Sequence, residues 1–268
     1  MKNYLDLLRS VKYNGEARPS RVGETISVFG QSIDILMPYG TFPLLTTRQV
    51  YPRGVLGELA AFLKGAEDLQ TFKDFGCSYW DHNAAQWHAN EGLEPKDQQV
   101  GRIYGAQWRN FGGVDQLAEL ISGIKIDPYG RRHILSAWNP SELYMMCLPP
   151  CHILAQFYVG TDGYLSCQVY MRSVDLCLGL PSDIILYAAL LLLVAQDTDY
   201  LPGILRFVFG DAHIYTAHID SLRTQLSREP GRLPKYALDP NASVFNFHPD
   251  MLTFPDYTPQ EAIKYELF

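Results

Sequence analysis

A cysteine and a histidine adjoin in the stretch LPPCHILAQFYVG, residues 148–160. The two prolines fix the backbone and remove two amide donors, so Cys151 stands on a rigid support at the start of a predicted strand. A thiolate is the reactive form of cysteine, and nearby cations lower the pKa of the thiol. Cys151 is therefore a candidate nucleophile. The alternative is a small buried hydrophobic residue.

Two acids occupy unusually apolar surroundings. Glu58 lies inside the helical pattern LGELAAF, and Asp183 directly precedes a run of twelve apolar residues, 184–195. An acid in such a position is either a residue on the helix surface or a buried group whose pKa is raised, suited to moving a proton.

Arginines and one histidine–tyrosine pair complete the polar candidates. Several converging guanidinium groups can bind one phosphate, although each arginine alone is typical of solvated surface. The arginine candidates are Arg21, Arg131, Arg132 and Arg172. In GDAHIYTAHID, His213 and Tyr215 would share one face of a strand and could bind a sugar hydroxyl. The alternative is a helix start capped by Asp211.

The composition is that of an ordinary globular protein. The chain has 268 residues, of which 47% are hydrophobic and 19% charged, and its net charge is −7. The length fits one large domain or two small ones, and the acidic balance excludes a general basic surface for duplex nucleic acid. Five cysteines without zinc-site spacing predict free thiols, no metal and a reducing, cytoplasmic compartment. The start MKNYLDLLRS lacks a secretory signal, and twelve apolar residues are too few to span a membrane.

Predicted helices and strands are mixed without regular βαβ alternation, which favours the α+β class. Helices are predicted at 5–11, 55–72 with a glycine break, 114–124, 184–195 and near 213. Strands are predicted at 25–37, 131–139, 152–160, 164–173 and 205–209, with a hairpin turn at GTDG, while 82–103 is predicted to be loop.

Many stretches, in this order along most of the chain, resemble the thymidylate synthase family. They are MKNYLDLLRSV, SRVGE, FPLLTTR, GELAAFLKG, YWD, IYGAQWRNF, YGRRHILSAWNPSEL, LPPCHILAQFYV, LSCQVYMRSVDLCLGLP, GDAHIYTAHID and QLSREPGRLPK. The resemblance implies one domain over residues 1–268 with a three-layer α+β fold. It also implies a homodimer whose large mixed sheets pack face to face. The implied reaction is C5 alkylation of a pyrimidine nucleoside monophosphate with 5,10-methylenetetrahydrofolate as co-substrate, without a metal.

Carried over to matching positions, the resemblance assigns three groups of residues. At the base, Cys151 would attack C6 with His152 beside it, Glu58 and Tyr104 would organise proton transfer, and Asp175 and Gly179 would line the base and the folate. Arg21, Arg172, Ser173 and, from the partner subunit, Arg131 and Arg132 would hold the phosphate, and His213 and Tyr215 the 3′-hydroxyl. Trp80 would pack against the folate, and Arg48 would lie near its glutamate tail.

The family's base-reading residue is an Asn in a GLPFNI-like stretch, whereas this chain has GLPSDI with Asp183. In cytosine N3 accepts a hydrogen bond and the N4 amine donates one, whereas in uracil N3–H donates and O4 accepts. An acid that shares a proton with the base therefore suits cytosine. A site built for one edge leaves buried groups unpaired with the other, at about 1–3 kcal/mol or more. Asp183 therefore predicts a cytosine nucleotide as substrate.

Other departures concern the fate of the transferred carbon. Met171 replaces the usual Gln, Asn83 replaces a folate-stacking Trp of a WDEW-like motif, and the chain ends YELF instead of a small apolar tail. Phage deoxycytidylate hydroxymethylases similarly have a Met-Arg-Ser run and an Asp at the reading position. We interpret these features as favouring a viral dCMP 5-hydroxymethyltransferase. The alternatives are a dCMP methylase, a thymidylate synthase, a CMP hydroxymethylase and an inactive nucleotide-binding relative.

Overall fold

The computed structural model describes residues 1–37, 40–91 and 98–267. Its helices are α1 (Lys2–Asn14), α2 (Pro52–Lys64), α3 (Leu69–Asp74), α4 (Asp81–Glu91), α5 (Tyr104–Arg109), α6 (Gln116–Ile126), α7 (Gly179–Asp197) and α8 (Ile219–Leu226). Its strands are β1 (Glu16–Ser20), β2 (Gly23–Phe29), β3 (Ser32–Leu36), β4 (Ile134–Ser136), β5 (His152–Val159), β6 (Tyr164–Asp175), β7 (Leu201–Tyr215), β8 (Ala237–Leu238) and β9 (Leu252–Thr253).

Seven strands form one mixed sheet in the order β1-β2-β7-β6-β5-β4, with β3 paired to β7 beside this path. The 15-residue β7 is long enough to pair with β2 along its second half and with β3 along its first. The pair β6 and β7 is parallel and joined by α7, whereas the pair β5 and β6 is an antiparallel hairpin. These features confirm the α+β class and the large mixed sheet.

Helix α7 forms the centre of the core. All twelve residues from 184 to 195 are buried, so the helix has no polar face to present to water. By length and composition the helix could cross a membrane, but 78% of its most apolar window is buried inside the chain. It is therefore the core helix that the sequence predicts, and it packs against α2, β6 and β7.

The sheet has one covered and one open face. Residues pointing to α7 are buried, as Val169 and Phe207 illustrate, while Tyr158 and Ile204 on the other face are 68% and 38% exposed. This alternation follows from the two-residue period of a strand. The open face is the surface that the predicted sheet-to-sheet dimer would use.

Helix α5 lies directly on α2, and this contact positions the site. A β-carbon at Gly105 would collide with the backbone of Phe62, so only glycine permits this approach. The neighbouring Tyr104 is thereby held with its ring 5.0 Å from that of Phe62 and is 3% exposed.

Two of the predicted elements were wrong, and a third begins later than predicted. The predicted strand 25–37 divides into β2 and β3, because the chain turns at Gly30 with a φ of +83°. The predicted loop 82–103 contains most of α4, which is polar on most sides and so lacks the periodic apolar pattern; residues 92–97 of that stretch lie outside the described part. The helix predicted to begin near 213 begins only after Tyr215, with a 3-10 turn at Thr216–His218 followed by α8, because β7 continues to Tyr215 through pairing with β2 and β6 on both sides.

Two further boundaries differ from the sequence prediction. The strand predicted at 205–209 extends over Leu201–Tyr215, and that predicted at 131–139 shortens to Ile134–Ser136. Because Asp211 lies within β7, the alternative of an Asp211 helix cap was also wrong. All five cysteines lie in the described part and are free thiols.

Candidate active site

The first turns of α7 bring Asp175, Gly179 and Asp183 to one place. Gly179 and Asp183 are four residues apart and therefore share a helix face. A β-carbon at Gly179 would lie 3.7 Å from Cβ of Asp175 and 3.9 Å from Oδ2 of Asp183. Glycine thus leaves a gap between the two carboxyl groups that a larger side chain would narrow.

Cys151 is held by backbone contacts from two directions. Its N–H donates to the hydroxyl oxygen of Tyr104 over 2.8 Å, and its carbonyl accepts from the N–H of Arg172 over 2.9 Å. The Arg172 guanidinium also donates to the carbonyls of Pro149 (2.8 Å) and Pro150 (2.7 Å). The prolines therefore act as acceptors that fix the arginine beside the thiol.

The Arg172 guanidinium reaches the sulfur itself. Its Nη2 lies 4.0 Å from Sγ of Cys151, and its face lies over the ring of Trp138. Burial raises the pKa of the Cys151 thiol, and the guanidinium charge counteracts this by favouring the thiolate. In the resting chain burial is the larger effect, so the sulfur is a thiol beside a fixed cation.

His152 lies between two tyrosines. Its ring stacks on that of Tyr104 at 4.0 Å, and its Nδ1 is 2.7 Å from the hydroxyl of Tyr187. Burial lowers the pKa of His152 to about 3, so the imidazole is neutral at pH 7. A neutral imidazole beside the thiol cannot provide the positive charge that a thiolate requires; Arg172 provides it.

Asp183 faces His152 across a short gap. Oδ1 of Asp183 is 3.8 Å from Nε2 of the imidazole, and the aspartate side chain is 17% exposed. Burial, together with the nearby carboxyl groups of Glu58 and Asp175, raises the pKa of Asp183 well above its usual range. The raised pKa favours the neutral acid, which has one O–H donor and one C=O acceptor.

Glu58 is the second perturbed acid. Burial raises the pKa of its carboxyl group from 4.5 to about 7, while the Trp80 indole, which donates to Oε1 over 2.8 Å, acts in the opposite sense. Trp80 is also within 5.9 Å of the Tyr104 ring. The four side chains Glu58, Trp80, Tyr104 and His152 thus form one continuous group.

The ends of β6 and β7 supply the next groups. Asp175 and His213 are paired in register, and His213 contacts Tyr215 ring edge to ring face at 5.3 Å. Nδ1 of His213 is 2.8 Å from the Asp211 carboxylate. Burial and the charge of Asp175 raise the pKa of Tyr215, while the Arg21 guanidinium lowers it, so all three groups share one electrostatic environment.

The sequence that forms this site matches a known family along almost its whole length. The profile of the thymidylate synthase family matches residues 2–268. The chain belongs to the thymidylate synthase family. Members of this family are one-carbon transferases that bind a pyrimidine nucleotide, use methylenetetrahydrofolate without a metal and are typically dimeric. The sequence resemblance and the predicted co-substrate are confirmed.

Three curated relatives extend this result. Thymidylate synthase 1/2 of Encephalitozoon cuniculi (strain GB-M1) is 42% identical over 97% of this chain and 95% of its own length. Thymidylate synthase of Mycoplasma pneumoniae (strain ATCC 29342 / M129 / Subtype 1) is 40% identical over 100% of this chain and 99% of its own. Thymidylate synthase of human herpesvirus 8 type P (isolate GK18) is 41% identical over 98% of this chain and 83% of its own.

The arginines assigned from the family resemblance lie in three places. Arg172 is at Cys151, and Arg21 is exposed in the turn between β1 and β2, near Tyr215. Arg131 and Arg132 are exposed ahead of the edge strand β4, where Arg131 lines a cleft with Tyr158 of the open sheet face. This location agrees with a role across a dimer interface, which stays a prediction for this thymidylate synthase relative.

Arg48, assigned to the folate tail, is turned inward. It is 7% exposed, its Nη2 donates to the Cys177 carbonyl over 2.8 Å, and its guanidinium lies over the Tyr265 ring. In this conformation its charge stabilises the chain's own C-terminal segment. Its assigned contact with the glutamate tail stays a prediction that requires the side chain to turn.

Sequence reasoning missed two residues that contact the site. Tyr187 bonds His152, and His218 has Nδ1 3.8 Å from Oδ1 of Asp175. The four-residue spacing from Asp183 to Tyr187 on one helix was a usable signal. Asp175, Cys177 and His218 are also of metal-ligating types and close together, but both Asp175 oxygens already accept backbone N–H groups.

Proposed function

We propose that this member of the family modifies C5 of a cytosine nucleotide and that it is a dCMP 5-hydroxymethyltransferase. The observation that carries the proposal is Asp183, a neutral acid in the place where the family has an amide. Burial raises the pKa of the carboxyl group well above its usual range, which favours its protonated form. Its O–H can donate to N3 of cytosine while its C=O accepts from the exocyclic N4 amine.

Uracil presents the opposite pattern at N3 and O4. With the Asp183 proton on the oxygen that faces N3, bound uracil would set N3–H against O–H and one carbonyl against another. Unpaired polar groups in a buried site cost about 1–3 kcal/mol. With the proton in that position the site would favour cytosine by about 5- to 150-fold, the ratio that corresponds to this energy.

The covalent step uses Cys151. The Cys151 thiol gives up its proton, and the thiolate, stabilised by Arg172 at 4.0 Å, forms a bond to C6 of the base. The electron pair of the C5–C6 double bond then makes C5 the nucleophile. C5 then bonds the one-carbon unit. Loss of the C5 proton, with cleavage of the bond between the one-carbon unit and the folate nitrogen, would leave an exocyclic methylene on C5. Hydride or water would then add to this carbon, and the electron pair returned to the ring would restore the C5–C6 double bond and expel the thiolate from C6. Glu58 at a pKa of about 7 is suited to exchange the protons, and Tyr104 fixes Cys151 through its N–H.

The rest of the nucleotide is assigned to the groups around this centre. Arg21, Arg172 and Ser173 bind the phosphate together with Arg131 of the partner subunit and Arg132 of the partner subunit, which would reach it across the open sheet face. His213 and Tyr215 lie on one face of β7 and bind the 3′-hydroxyl. Bidentate guanidinium contacts suit a phosphate dianion.

The residues present also fit the folate. Trp80, with Phe62 and Tyr104 behind it, offers an aromatic wall for a flat heterocycle, and the Glu58 carboxyl group lies beside it. Asp175 is assigned to the folate by the family resemblance. Bound methylenetetrahydrofolate supplies the one-carbon unit. Trp80 is held by its hydrogen bond to Glu58, which ties the position of the wall to the proton-exchanging acid.

The product depends on whether hydride or water completes the reaction. Hydride from the folate gives a methyl group and dihydrofolate, whereas water gives a hydroxymethyl group and returns tetrahydrofolate. Asn83 on the polar helix α4 provides no aromatic surface to stack on the folate. Leu267 at the end of the chain is 84% exposed, and Phe268 lies outside the described residues. The polar side chain of Asn83 and the exposure of Leu267 both favour access of water.

A second candidate is methylation of dUMP. It is favoured by the similar proteins, each of which is named thymidylate synthase. In that case Asp183 would bind uracil as an anion, through water, or with its proton on the oxygen that faces O4. A dCMP methylase is intermediate between the two, with cytosine recognition and hydride transfer.

One experiment separates these functions. The enzyme is incubated with methylenetetrahydrofolate and dCMP, dUMP or CMP, the product is identified by mass, and dihydrofolate is followed by its absorbance. We expect a hydroxymethyl product from dCMP without dihydrofolate. Dihydrofolate with dCMP identifies a methylase, and preference for dUMP refutes cytosine recognition. Cys151→Ser is the inactive control, and absence of turnover with all three nucleotides in the parent indicates a binding protein.

A further inference from the structure

Tyr187 is connected through His152 to Asp183, the proposed base-reading residue. It lies one helical turn after Asp183 on α7 and is 1% exposed. Its hydroxyl oxygen is 2.7 Å from Nδ1 of His152, and the two rings are perpendicular at 5.2 Å. On the other side of the imidazole, Nε2 faces Oδ1 of Asp183.

The direction of the Tyr187 hydrogen bond follows from burial. Burial raises the pKa of the Tyr187 hydroxyl well above its usual range, so the hydroxyl keeps its proton. Within the described part of the chain, His152 is the only hydrogen-bond partner of this hydroxyl. A buried O–H without an acceptor is costly, so the hydroxyl donates and Nδ1 accepts.

The tautomer of His152 is then fixed. The imidazole is neutral, with a pKa of about 3, and a neutral imidazole has one N–H. Because Nδ1 is the acceptor, the hydrogen is on Nε2. One ring face of His152 is stacked on Tyr104 at 4.0 Å, and the Phe62 ring lies 6.5 Å away, which restricts rotation of the imidazole.

An N–H that faces Asp183 distinguishes the two carboxyl oxygens. Oδ1 of Asp183 faces the His152 N–H, and this donor favours Oδ1 as the carbonyl oxygen. The acid proton is then on Oδ2, the oxygen nearer to Gly179. The 3.8 Å separation is longer than a hydrogen bond, and such contacts shorten when a ligand closes a site. With the reverse tautomer, Nε2 would accept the Asp183 proton and withdraw it from the base.

We propose that Tyr187 is a positioning residue that holds His152 in the Nε2–H tautomer and thereby directs the acid proton of Asp183 to the nucleobase. The effect on substrate choice rests on the proposed cytosine function. The tautomer itself does not, so the two can be tested separately. Glu58 and Asp175 are the other carboxyl groups that act on Asp183, and neither one contacts the imidazole in the described structure.

The test uses Tyr187→Phe, which keeps the ring and removes the hydroxyl. In the parent enzyme with ¹⁵N-labelled histidine, NMR should give a protonated Nε2 and an acceptor Nδ1 for His152, assigned with a His152→Asn variant. In Tyr187→Phe we expect the Nδ1–H form to appear. The kcat/KM ratio of dCMP to dUMP should fall by about 10-fold, in the range of one lost buried hydrogen bond.

Tyr4→Phe is the matched control. Tyr4 is also fully buried and its hydroxyl donates to the Leu176 carbonyl over 2.8 Å, so its loss has a similar cost in stability. Its substrate ratio and His152 spectrum should equal those of the parent. An unchanged spectrum in Tyr187→Phe overturns the proposal, as does a changed spectrum with an unchanged ratio in an enzyme that prefers dCMP. A parent that prefers dUMP refutes the cytosine function, while the spectrum still decides the tautomer.

Discussion

The indole N–H of Trp80 donates a 2.8 Å hydrogen bond to Oε1 of Glu58. The bond favours the ionised carboxylate, whereas burial disfavours it, and the larger effect of burial brings the pKa of Glu58 to about 7. An acid with this pKa can both accept and release a proton at neutral pH. The same hydrogen bond fixes the aromatic wall, so proton exchange and folate position are linked.

Glu58→Gln keeps the side-chain size and the acceptor for Trp80 but removes the exchangeable proton. We expect kcat to fall by about 10²- to 10⁴-fold. The parental rate should rise as the pH increases through about 7, because the ionised carboxylate accepts the proton, and this limb should be absent from the variant. Trp80→Phe, which removes the donor, should move the limb to higher pH. Initial rates across neutral pH measure both effects, and a limb retained in Glu58→Gln contradicts the assignment.

Glu58→Gln should also change stability, with a sign set by the raised pKa. Between about 4.5 and about 7, the folded chain holds a proton that the unfolded chain has lost, so this group lowers the free energy of unfolding as pH rises. The glutamine of the variant does not titrate and has no such dependence. We therefore expect the variant to melt a few degrees above the parent at mildly alkaline pH and equally near pH 4. Thermal unfolding at the two pH values measures this difference; a variant that melts below the parent at alkaline pH is the opposite of this expectation.

Asp183→Asn should shift base preference toward uracil. The amide donates to a carbonyl and accepts from an N–H, which matches uracil and not cytosine. We expect the kcat/KM ratio of dCMP to dUMP to fall by about 10- to 100-fold. Ser182→Ala is the neighbouring control. The hydroxyl that it removes donates a hydrogen bond to the Leu178 carbonyl, so this variant should keep the parental ratio. Equal ratios in the parent and Asp183→Asn would show that another residue reads the base.

Arg172→Lys should make Cys151 less reactive. Lysine keeps the charge but lacks the planar fork that bonds Pro149 and Pro150 while facing the sulfur. A rise of about one unit in the thiol pKa lowers the thiolate fraction about 10-fold, so alkylation by iodoacetamide should slow by that factor. Peptide mapping separates Cys151 from Cys147, whose pKa burial raises to about 12. Arg223→Lys on the exposed surface should leave the rate unchanged. Equal rates in Arg172→Lys and the parent would remove Arg172 from thiolate stabilisation.

The sequence was sufficient for features that depend on local pattern. Twelve consecutive apolar residues have no polar face, so α7 had to be buried, and the GTDG turn between two β-rich runs had to form a hairpin. Helix α4 was not predicted because it is polar on most sides. The length of β7 was underestimated because it depends on pairing with strands β2, β3 and β6. Pairing partners are a tertiary property that a local window does not contain.

The same division applies to the site. Cys151, Glu58 and Asp183 attract notice by their residue type in an unusual context, but their proximity depends on the packing of α2, α5 and α7. Tyr187 was missed because a tyrosine inside an apolar run is typical of core, and only the geometry reveals its bond to His152. The inward turn of Arg48 toward Cys177 likewise has no signature in the sequence.

Leu190→Ala tests the core helix. Leu190 is fully buried in α7, so truncation removes contacts and leaves a cavity, which costs about 2–5 kcal/mol in unfolding free energy. Ile126→Ala, at a side chain that is 81% exposed, should cost less than about 0.5 kcal/mol. Urea unfolding of both variants measures the difference. Equal costs would contradict the central position of α7.

Mixed dimers test whether Arg132 acts across the subunit interface. Cys151→Ser and Arg132→Ala are each expected to be inactive or strongly impaired. If Arg132 serves the partner's site, a mixed dimer has one site with both an intact cysteine and an intact arginine, so random mixing should restore about a quarter of parental activity. Mixing Cys151→Ser with Arg172→Ala is the control, because Arg172 lies 4.0 Å from the sulfur of its own chain and no mixed site is intact. Activity after co-refolding measures both pairs; no recovery with Arg132→Ala would place Arg132 at its own subunit's site.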